Sequence, residues 1–328
     1  MEQKIKSLFN DQIVSAACTK YGIPIDELTF IGGFQNFVYE YQLSNHQYIL
    51  RFTHSSLRSK DLLAAELEWI LYIADHGVSV SRPVCSLQGN LVEQIEIGDS
   101  CFRVSSFEKA QGKRIGYPDC LKDVELYEQC GMITGQMHRL AKSYKPHTKR
   151  HAWHQNYYLQ NVTRFIPSSQ SGVLESCKAL MDRLKHLDAD INTYGLIHGD
   201  INVGNFLVDN GKLTLFDFDE AQYSWFVEDI AIQLYYLVYV YGDDSMEDRQ
   251  LQCQRFMEHF LKGYVKENSI SENELKLIPL FLRLREIIVY TGMYRSFDMS
   301  NLDDWTKDYL TQSKARIENG ISIIESYF

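Results

Sequence analysis

The sequence predicts an α+β chain of two lobes: a small antiparallel sheet with one main helix, followed by a larger, mostly helical lobe. Two patterns and the break between them predict it. Runs of β-branched and aromatic residues alternate with polar ones through much of residues 28–107. Helical spacing of apolar residues dominates from residue 121 onward. Between them lies the Gly- and Pro-punctuated segment KAQGKRIGYPD, Lys109 to Asp119, which marks a hinge. The expected lobes are therefore 1–107 and 108–328.

The elements follow in order. Ile5, Leu8, Phe9, Ile13, Val14 and Ala17 recur at helical spacing, which predicts one capping helix over residues 2–21, ended by Gly22 and Pro24. Strands are expected near 28–33, 36–43 and 47–53, the last two joined by a Ser44-Asn45 turn. Residues 59–76 form an amphipathic helix with Leu62, Leu63, Leu67, Ile70, Leu71 and Ile73 facing inward. The runs SRPVCSL, NLVEQIEI and CFRVSSF then complete a sheet of five or six strands. Beyond the hinge, helices are expected at 121–143, 171–190, 223–241, 246–266, 272–297 and 303–327. His138, on the first of these, reads as a packed or capping histidine. HAWHQNYYLQN, between the first two, either lines a substrate site or covers the helical core.

Composition narrows the function. A chain of 328 residues with 45% apolar content has ample material for packed cores. A net charge of −10 opposes nucleic acid as a ligand, because phosphate backbones require basic surfaces. Seven scattered cysteines form no CxxC or zinc-type spacing and are expected to be reduced and buried. MEQKIKSLFN lacks the apolar core of a signal peptide, and the apolar run Ile230 to Val240, interrupted by Gln233, is too short to span a bilayer. The expectation is a cytoplasmic protein with a small-molecule ligand and neither nucleic acid nor membrane as partner.

The chemistry concentrates in Leu196 to Ala221, LIHGDINVGNFLVDNGKLTLFDFDEA. Two short apolar runs flank Asn210-Gly211, the signature of a tight hairpin whose ends lie close together. Asn205 enters that hairpin and Asp217 leaves it, so the two are expected to be neighbours, with Asp200 one loop earlier facing the same spot. Two carboxylates and an amide oxygen suit a hard cation such as Mg²⁺, which shares its coordination sphere with substrate phosphates.

HGDINVGN resembles the HxDxxxxN catalytic loop of the aminoglycoside phosphotransferase and choline kinase superfamily, which includes the homoserine-kinase-like branch. FDFDEA resembles its metal-binding segment, and Asp200 and Asp217 stand seventeen residues apart in the family's order. The resemblance implies a bilobal, protein-kinase-like fold and transfer of phosphate from ATP, or from GTP, to a hydroxyl. It implies that Asp200 orients the acceptor and takes its proton, and that Asn205 and Asp217 hold Mg²⁺. His198 becomes a packing residue of the loop, and Asp229 the structural aspartate that ties the next helix to it. Asp219 and Glu220 read either as groups supporting the metal or as a solvated strand end.

Arg51 occupies the place where protein kinases carry a phosphate-pairing Lys, and the homoserine-kinase-like branch also has Arg there. Its fork can clamp phosphate oxygens. The residues alone leave Glu66 and Glu68 open as its partner; the family's pattern implies Glu66. Gly32, Gly33 and Asn36 stand where a glycine loop covers the phosphates, although two glycines between strands are also an ordinary turn. Ser106, Phe107 and Glu108 stand at the hinge, where the family binds adenine through the backbone. Acceptor candidates are Glu286, Tyr290, Tyr294, Asp298, Asp303, Asp304 and Trp305, all at spacings that a packed helix also shows. An amine-bearing acceptor fits the acidic balance. A protein Ser/Thr kinase and a non-catalytic nucleotide-binding relative are the competing readings.

Overall fold

A computed structural model describes residues 3–33, 35–238 and 245–326. The chain divides into two compact units: Met1–Gly112 with Lys145–Arg150 and Thr214–Asp219, and Lys113–Tyr144 with His151–Leu213 and Glu220–Phe328.

In the first unit the single expected N-terminal helix is two, α1 (Gln3–Leu8) and α2 (Asp11–Tyr21). The break lies at Asn10, whose side chain caps α2 by accepting the N–H groups of Gln12 and Ile13. An Asn competes for backbone donors in this way and so starts helices better than it continues them. Residue 2 of the expected helix lies outside the described residues. Strands β1 (Thr29–Gly32), β2 (Phe37–Leu43) and β3 (His46–His54) follow, and Ser44 and Asn45, both at positive φ, make the expected two-residue turn. After helix α3 (Lys60–Asp75), capped by Ser59, come β4 (Pro83–Val84), β5 (Glu93–Ile97) and β6 (Ser100–Glu108). The sheet has six strands, all paired antiparallel, with β6 bonded to β3, β4 and β5. Helix α2 and Phe9 close one face, Phe9 stacking on Phe37 at 3.8 Å between ring centres.

The second unit is built on α4 (Val124–Ala141), the short helices α5 (Tyr157–Gln160) and α6 (Val162–Phe165), and α7 (Ser171–Leu184). Strand β7 (Tyr194–Ile197) leads into the polar loop, and β8 (Phe206–Asp209) and β9 (Lys212–Leu215) form the expected hairpin on Asn210 and Gly211, both at positive φ. The next segment differs from the expectation. Residues 222–225 form strand β10 (Gln222–Trp225), paired antiparallel with β7, and only at Phe226 does helix α8 (Phe226–Val238) begin. QYSW alternates, and its aromatics let it run visually into the apolar helix that follows. Residues 239–241 of the expected helix, and with them the end of the Ile230 to Val240 run, lie outside the described residues.

Helix α9 (Met246–Tyr264) precedes α10 (Glu272–Leu275), α11 (Ile278–Ser296) and α12 (Asp304–Asn319). The expected helix 272–297 is thus interrupted at Lys276 and Leu277, where Pro279 starts a new helix rather than sitting inside one. The last helix ends at Gly320 in the left-handed conformation, short of the expected 327, which is outside the described residues. Among the described residues no helix is long and apolar enough to cross a membrane. All seven cysteines are unpaired; six are buried and Cys85 is exposed.

Helices α4 and α9 meet backbone to backbone. A Cβ on Gly131 would lie 1.9 Å from the Phe260 carbonyl oxygen, and one on Gly263 equally close to that of Glu128. Neither contact can relax without separating the helices. Gly131→Ala is expected to cost about 3 kcal/mol or more, the upper range for forcing atoms into a packed core. A thermal midpoint equal to that of the parent chain would contradict this.

Candidate active site

Within the first unit, Arg51 sits on β3 opposite Val38 and Ser105 and points at α3. Its Nη1 and Nη2 donate to the two carboxylate oxygens of Glu66 at 2.8 and 2.9 Å. Arg51 is 5% exposed and Glu66 not at all, so this is a buried, two-pronged pair. Glu68 is engaged elsewhere, by the His147 ring and backbone. The Phe107 ring lies under the guanidinium, 5.0 Å from it. Burial works against the charge on Arg51, but Glu66 and Asp219 outweigh it and hold its pKa above the ordinary value.

Arg51 Nη1 also lies 3.7 Å from Asp217 Oδ1. Asp217 adopts a left-handed backbone, φ 64°, and its side chain is 49% exposed, so its carboxylate can take a further ligand. Asp219 is different: it is buried, accepts Arg58 Nε at 3.0 Å and Asn36 Nδ2 at 3.4 Å. The strand-end, solvated reading of Asp219 therefore fails. Burial alone would raise its pKa, but Arg58, Arg51 and Arg150 hold it well below the usual carboxylate range. Arg150 also donates to the Asp219 carbonyl at 2.5 Å and to the Leu62 carbonyl at 2.9 Å.

Gly32 and Gly33 both have positive φ, 113° and 134°. A Cβ on Gly33 would fall 2.0 Å from the Asn36 carbonyl oxygen, so the loop closes on itself there and only glycine fits. Ser106 is buried and shares a hydrogen bond with the Tyr41 hydroxyl at 2.8 Å. Phe107 is buried as well, whereas the Glu108 side chain is exposed and its N–H donates to the Arg82 carbonyl.

Within the second unit the loop after β7 is held from below by Asp229 of α8. Its buried carboxylate accepts the N–H groups of His198 at 2.9 Å and Gly199 at 2.8 Å, and lies 3.2 Å from His138 Nε2. Burial would raise the Asp229 pKa, yet these donors and the two histidines bring it below the ordinary value. His138 and His198 are both fully buried, in the packing roles expected of them. Gly199 turns the loop at φ 80°, where a Cβ would meet the Glu220 carbonyl oxygen at 2.3 Å.

Asp200 is thereby presented with its backbone N–H on His198 Nδ1 and its side chain 24% exposed. Asn205 Nδ2 donates to Asp200 Oδ2 at 3.0 Å and to the Asp200 carbonyl at 2.9 Å. With the amide nitrogen so engaged, Oδ1 is the Asn205 atom that can bind a cation. Arg285 of α11 donates to Asp200 Oδ1 and to the Tyr236 hydroxyl, the latter at 2.6 Å. Burial pushes the Asp200 pKa up, Arg285 opposes it, and Glu220 adds to it.

Sequence reasoning missed Arg285, Arg58 and the bond from Asn156 to Glu220 at 3.3 Å. The acceptor candidates resolve mainly into structure. Glu286 is buried against Arg316 and Ser313, Tyr290 donates to Gln170, Asp303 caps α12 and Asp298 holds Ser300. Asp304 and Trp305 are exposed, and Tyr294 is half-buried beside Tyr290.

Glu228, next to Asp229, is buried, and its carboxylate accepts hydrogen bonds from Gln222 and Ser224. Burial, aided by Asp229 and only partly offset by those bonds and Arg285, pushes its pKa up from 4.5 to about 7. A raised folded pKa stabilises the chain fully below the unfolded value, and that contribution is lost as pH rises through about 7. The gap is worth roughly 3 kcal/mol. Thermal midpoints at pH 5.5 and 8 should therefore fall further apart for the parent chain than for Glu228→Gln; equal differences would refute this.

Comparison with known proteins bears on the same geometry. A family model for the phosphotransferase enzyme family, APH, matches residues 27–264. Amicoumacin kinase of Bacillus subtilis (strain 168) is 36% identical over 328 residues, 98% of this chain and 96% of that one. The solved structure of amicoumacin kinase hAmiN, in complex with AMP-PNP, Ca2+ and Ami, superposes with a TM-score of 0.91 at 33% identity, covering 99% of this chain and 98% of that one. The microcompartment-associated aminopropanol kinase shares the fold, with a TM-score of 0.76 at 21% identity, covering 96% of this chain and all of that one. The α+β, protein-kinase-like fold expected from the sequence is the one present. The chain belongs to the phosphotransferase enzyme family and is a kinase.

Proposed function

We propose that this kinase transfers the γ-phosphoryl group of ATP, as its Mg²⁺ complex, to a hydroxyl of a small amine-bearing molecule, with amicoumacin as the first acceptor to test. The observation that carries the reading is Asp200: a part-exposed carboxylate on a loop clamped by Asp229 and braced by Asn205. Such a group orients an attacking hydroxyl and takes its proton as the new P–O bond forms and the bond from the γ-phosphorus to the β,γ-bridging oxygen breaks. The near full-length likeness to amicoumacin kinases supports the acceptor class.

Asn205 and Asp217 are the proposed metal donors. Both offer an oxygen, and the hard-cation chemistry of such donors fits Mg²⁺, which would neutralise charge on the phosphates. Arg51, braced by Glu66, is proposed to pair with phosphate oxygens, and the Gly32-Gly33 loop to cover them with backbone N–H groups. Residues 106–108 would meet the adenine through their backbone. Residues 1–107 are thus the proposed nucleotide-binding lobe and 108–328 the lobe that carries the catalytic loop and the acceptor pocket. GTP is the alternative donor, and unpaired cysteines accord with a cytoplasmic setting.

The test is ADP production from MgATP against a panel of amicoumacin, amino alcohols, aminoglycosides and neutral sugars, with the product's mass as confirmation. An amine-bearing acceptor that gains one phosphate supports the reading. Turnover with the sugars alone would refute the amine-bearing class, and turnover with a protein extract but no member of the panel would overturn the small-molecule assignment.

A further inference from the structure

We propose that Arg285 is a positioning residue for phosphoryl transfer, fixing the orientation of the Asp200 carboxylate from the far side of the catalytic loop. The inference rests on the reading of Asp200 given above. Arg285 lies in α11 among Leu282, Leu284, Ile287 and Ile288, all buried. A buried guanidinium is costly to desolvate, and that cost is offset only through the hydrogen bonds and the anionic partner it finds. Here Nη2 meets Asp200 Oδ1 and the Tyr236 hydroxyl, the latter at 2.6 Å, and Nη1 meets the Gly199 carbonyl at 3.4 Å, while Nε is buried with no hydrogen-bond partner among the described residues and the Tyr236 ring lies 5.1 Å from the guanidinium carbon.

The arrangement is directional. Arg285 holds Oδ1, Asn205 holds Oδ2 at 3.0 Å, and the two donors come from different elements. Two donors on two oxygens fix both side-chain torsions of an aspartate, so the lone pairs left for an acceptor hydroxyl point one way only. The bond to the Gly199 carbonyl ties Arg285 to the same turn that Asp229 clamps by the Gly199 N–H. Loop and side chain are thus referenced to one another. A planar fork does this fully and a point charge does not, so Lys is at most a partial substitute.

The experiment uses the full chain and needs no identified acceptor. Hydrolysis of γ-labelled MgATP, with water as acceptor, is measured in single turnover for the parent, Arg285→Met, Arg285→Lys, Asp200→Asn and the double variant Arg285→Met with Asp200→Asn. Arg285→Met should lower the rate about 100-fold, the cost of misplacing a reacting group, with the MgATP concentration for half-maximal rate unchanged. Arg285→Lys should recover part of the loss. In the Asp200→Asn background Arg285→Met should have no further effect, because residues acting through one another are non-additive.

An additive double variant, or a full-rate Arg285→Lys, overturns the proposal. If Arg285→Met does not fold, Arg285→Lys carries the same comparison. A crystal structure of the Lys variant is the readout independent of turnover. An Asp200 carboxylate turned or split between orientations supports the proposal, and an unmoved one refutes it. Should the parent release no phosphate to water while the Asp200 carboxylate turns in the variant, the positioning stands, and the phosphotransfer reading is decided separately by the acceptor panel above.

Discussion

Asp200→Asn should abolish phosphoryl transfer and leave a folded, nucleotide-binding chain. The substitution is nearly isosteric, and its remaining carbonyl oxygen still accepts one of the two donors that Asp200 now serves, Arg285 or Asn205. The loop itself does not depend on that carboxylate, because Asp229 holds the His198 and Gly199 N–H groups independently. What is lost is a group able to take the acceptor's proton, which contributes about 100- to 10,000-fold in rate where it operates. Asn is a better probe here than Ala, since Ala would leave both Arg285 and Asn205 without a side-chain acceptor at this position and confuse folding with catalysis. Turnover numbers, thermal midpoint and MgATP binding, measured side by side, separate the two. Retained turnover in a folded Asn variant would remove Asp200 from the mechanism.

That Asp200 can be singled out in the bare sequence as a candidate reflects how local its signals are. The loop HGDINVGN and the Asn210-Gly211 turn are short-range features, and each of the two-residue turns expected from Ser44-Asn45 and Asn210-Gly211 is present. The Arg51–Glu66 pair was reachable through the family's pattern, whereas the residues alone left Glu66 and Glu68 open, because both fall on the helix that follows the strand. The missing partners are those fixed by distant chain. Arg285 meets Asp200 across 85 positions, and in RLREIIVY nothing distinguishes it from Arg283, which is only half-buried. Asp219 next to Glu220 looks like a solvated acidic pair until Arg58, 161 residues earlier, closes on it. The interruption of the C-terminal helix at Lys276 and the strand at 222–225 were hidden for a related reason: apolar periodicity runs through both boundaries, and only pairing with β7 or capping geometry sets them.

Glu66→Gln should both destabilise the chain and weaken its hold on MgATP. The parent pair has two parallel charge-assisted bonds at 2.8 and 2.9 Å in a site closed to water. A Gln amide can accept only one of them and presents its own N–H₂ group to the other arm, donor against donor. Removing one side of a buried pair costs about 3–5 kcal/mol because the remaining charge is uncompensated. The lower figure applies, since Asp217 at 3.7 Å and Asp219 also act on Arg51. Freed from Glu66, Arg51 has the Asp217 carboxylate at 3.7 Å to turn towards, and that is a proposed metal donor. Losing the proposed phosphate contact of Arg51, about 1.4 kcal/mol or more, would correspond to about a tenfold rise in KM for MgATP. Displacement of the whole helix does not account for such a rise. Arg150 bonds the Leu62 carbonyl and Arg58 immediately precedes the Ser59 cap, so the start of α3 stays anchored to Asp219 when Glu66 is changed. A chain destabilised as expected but with an unchanged KM would therefore make the Arg51–Glu66 pair structural and move phosphate recognition to other residues.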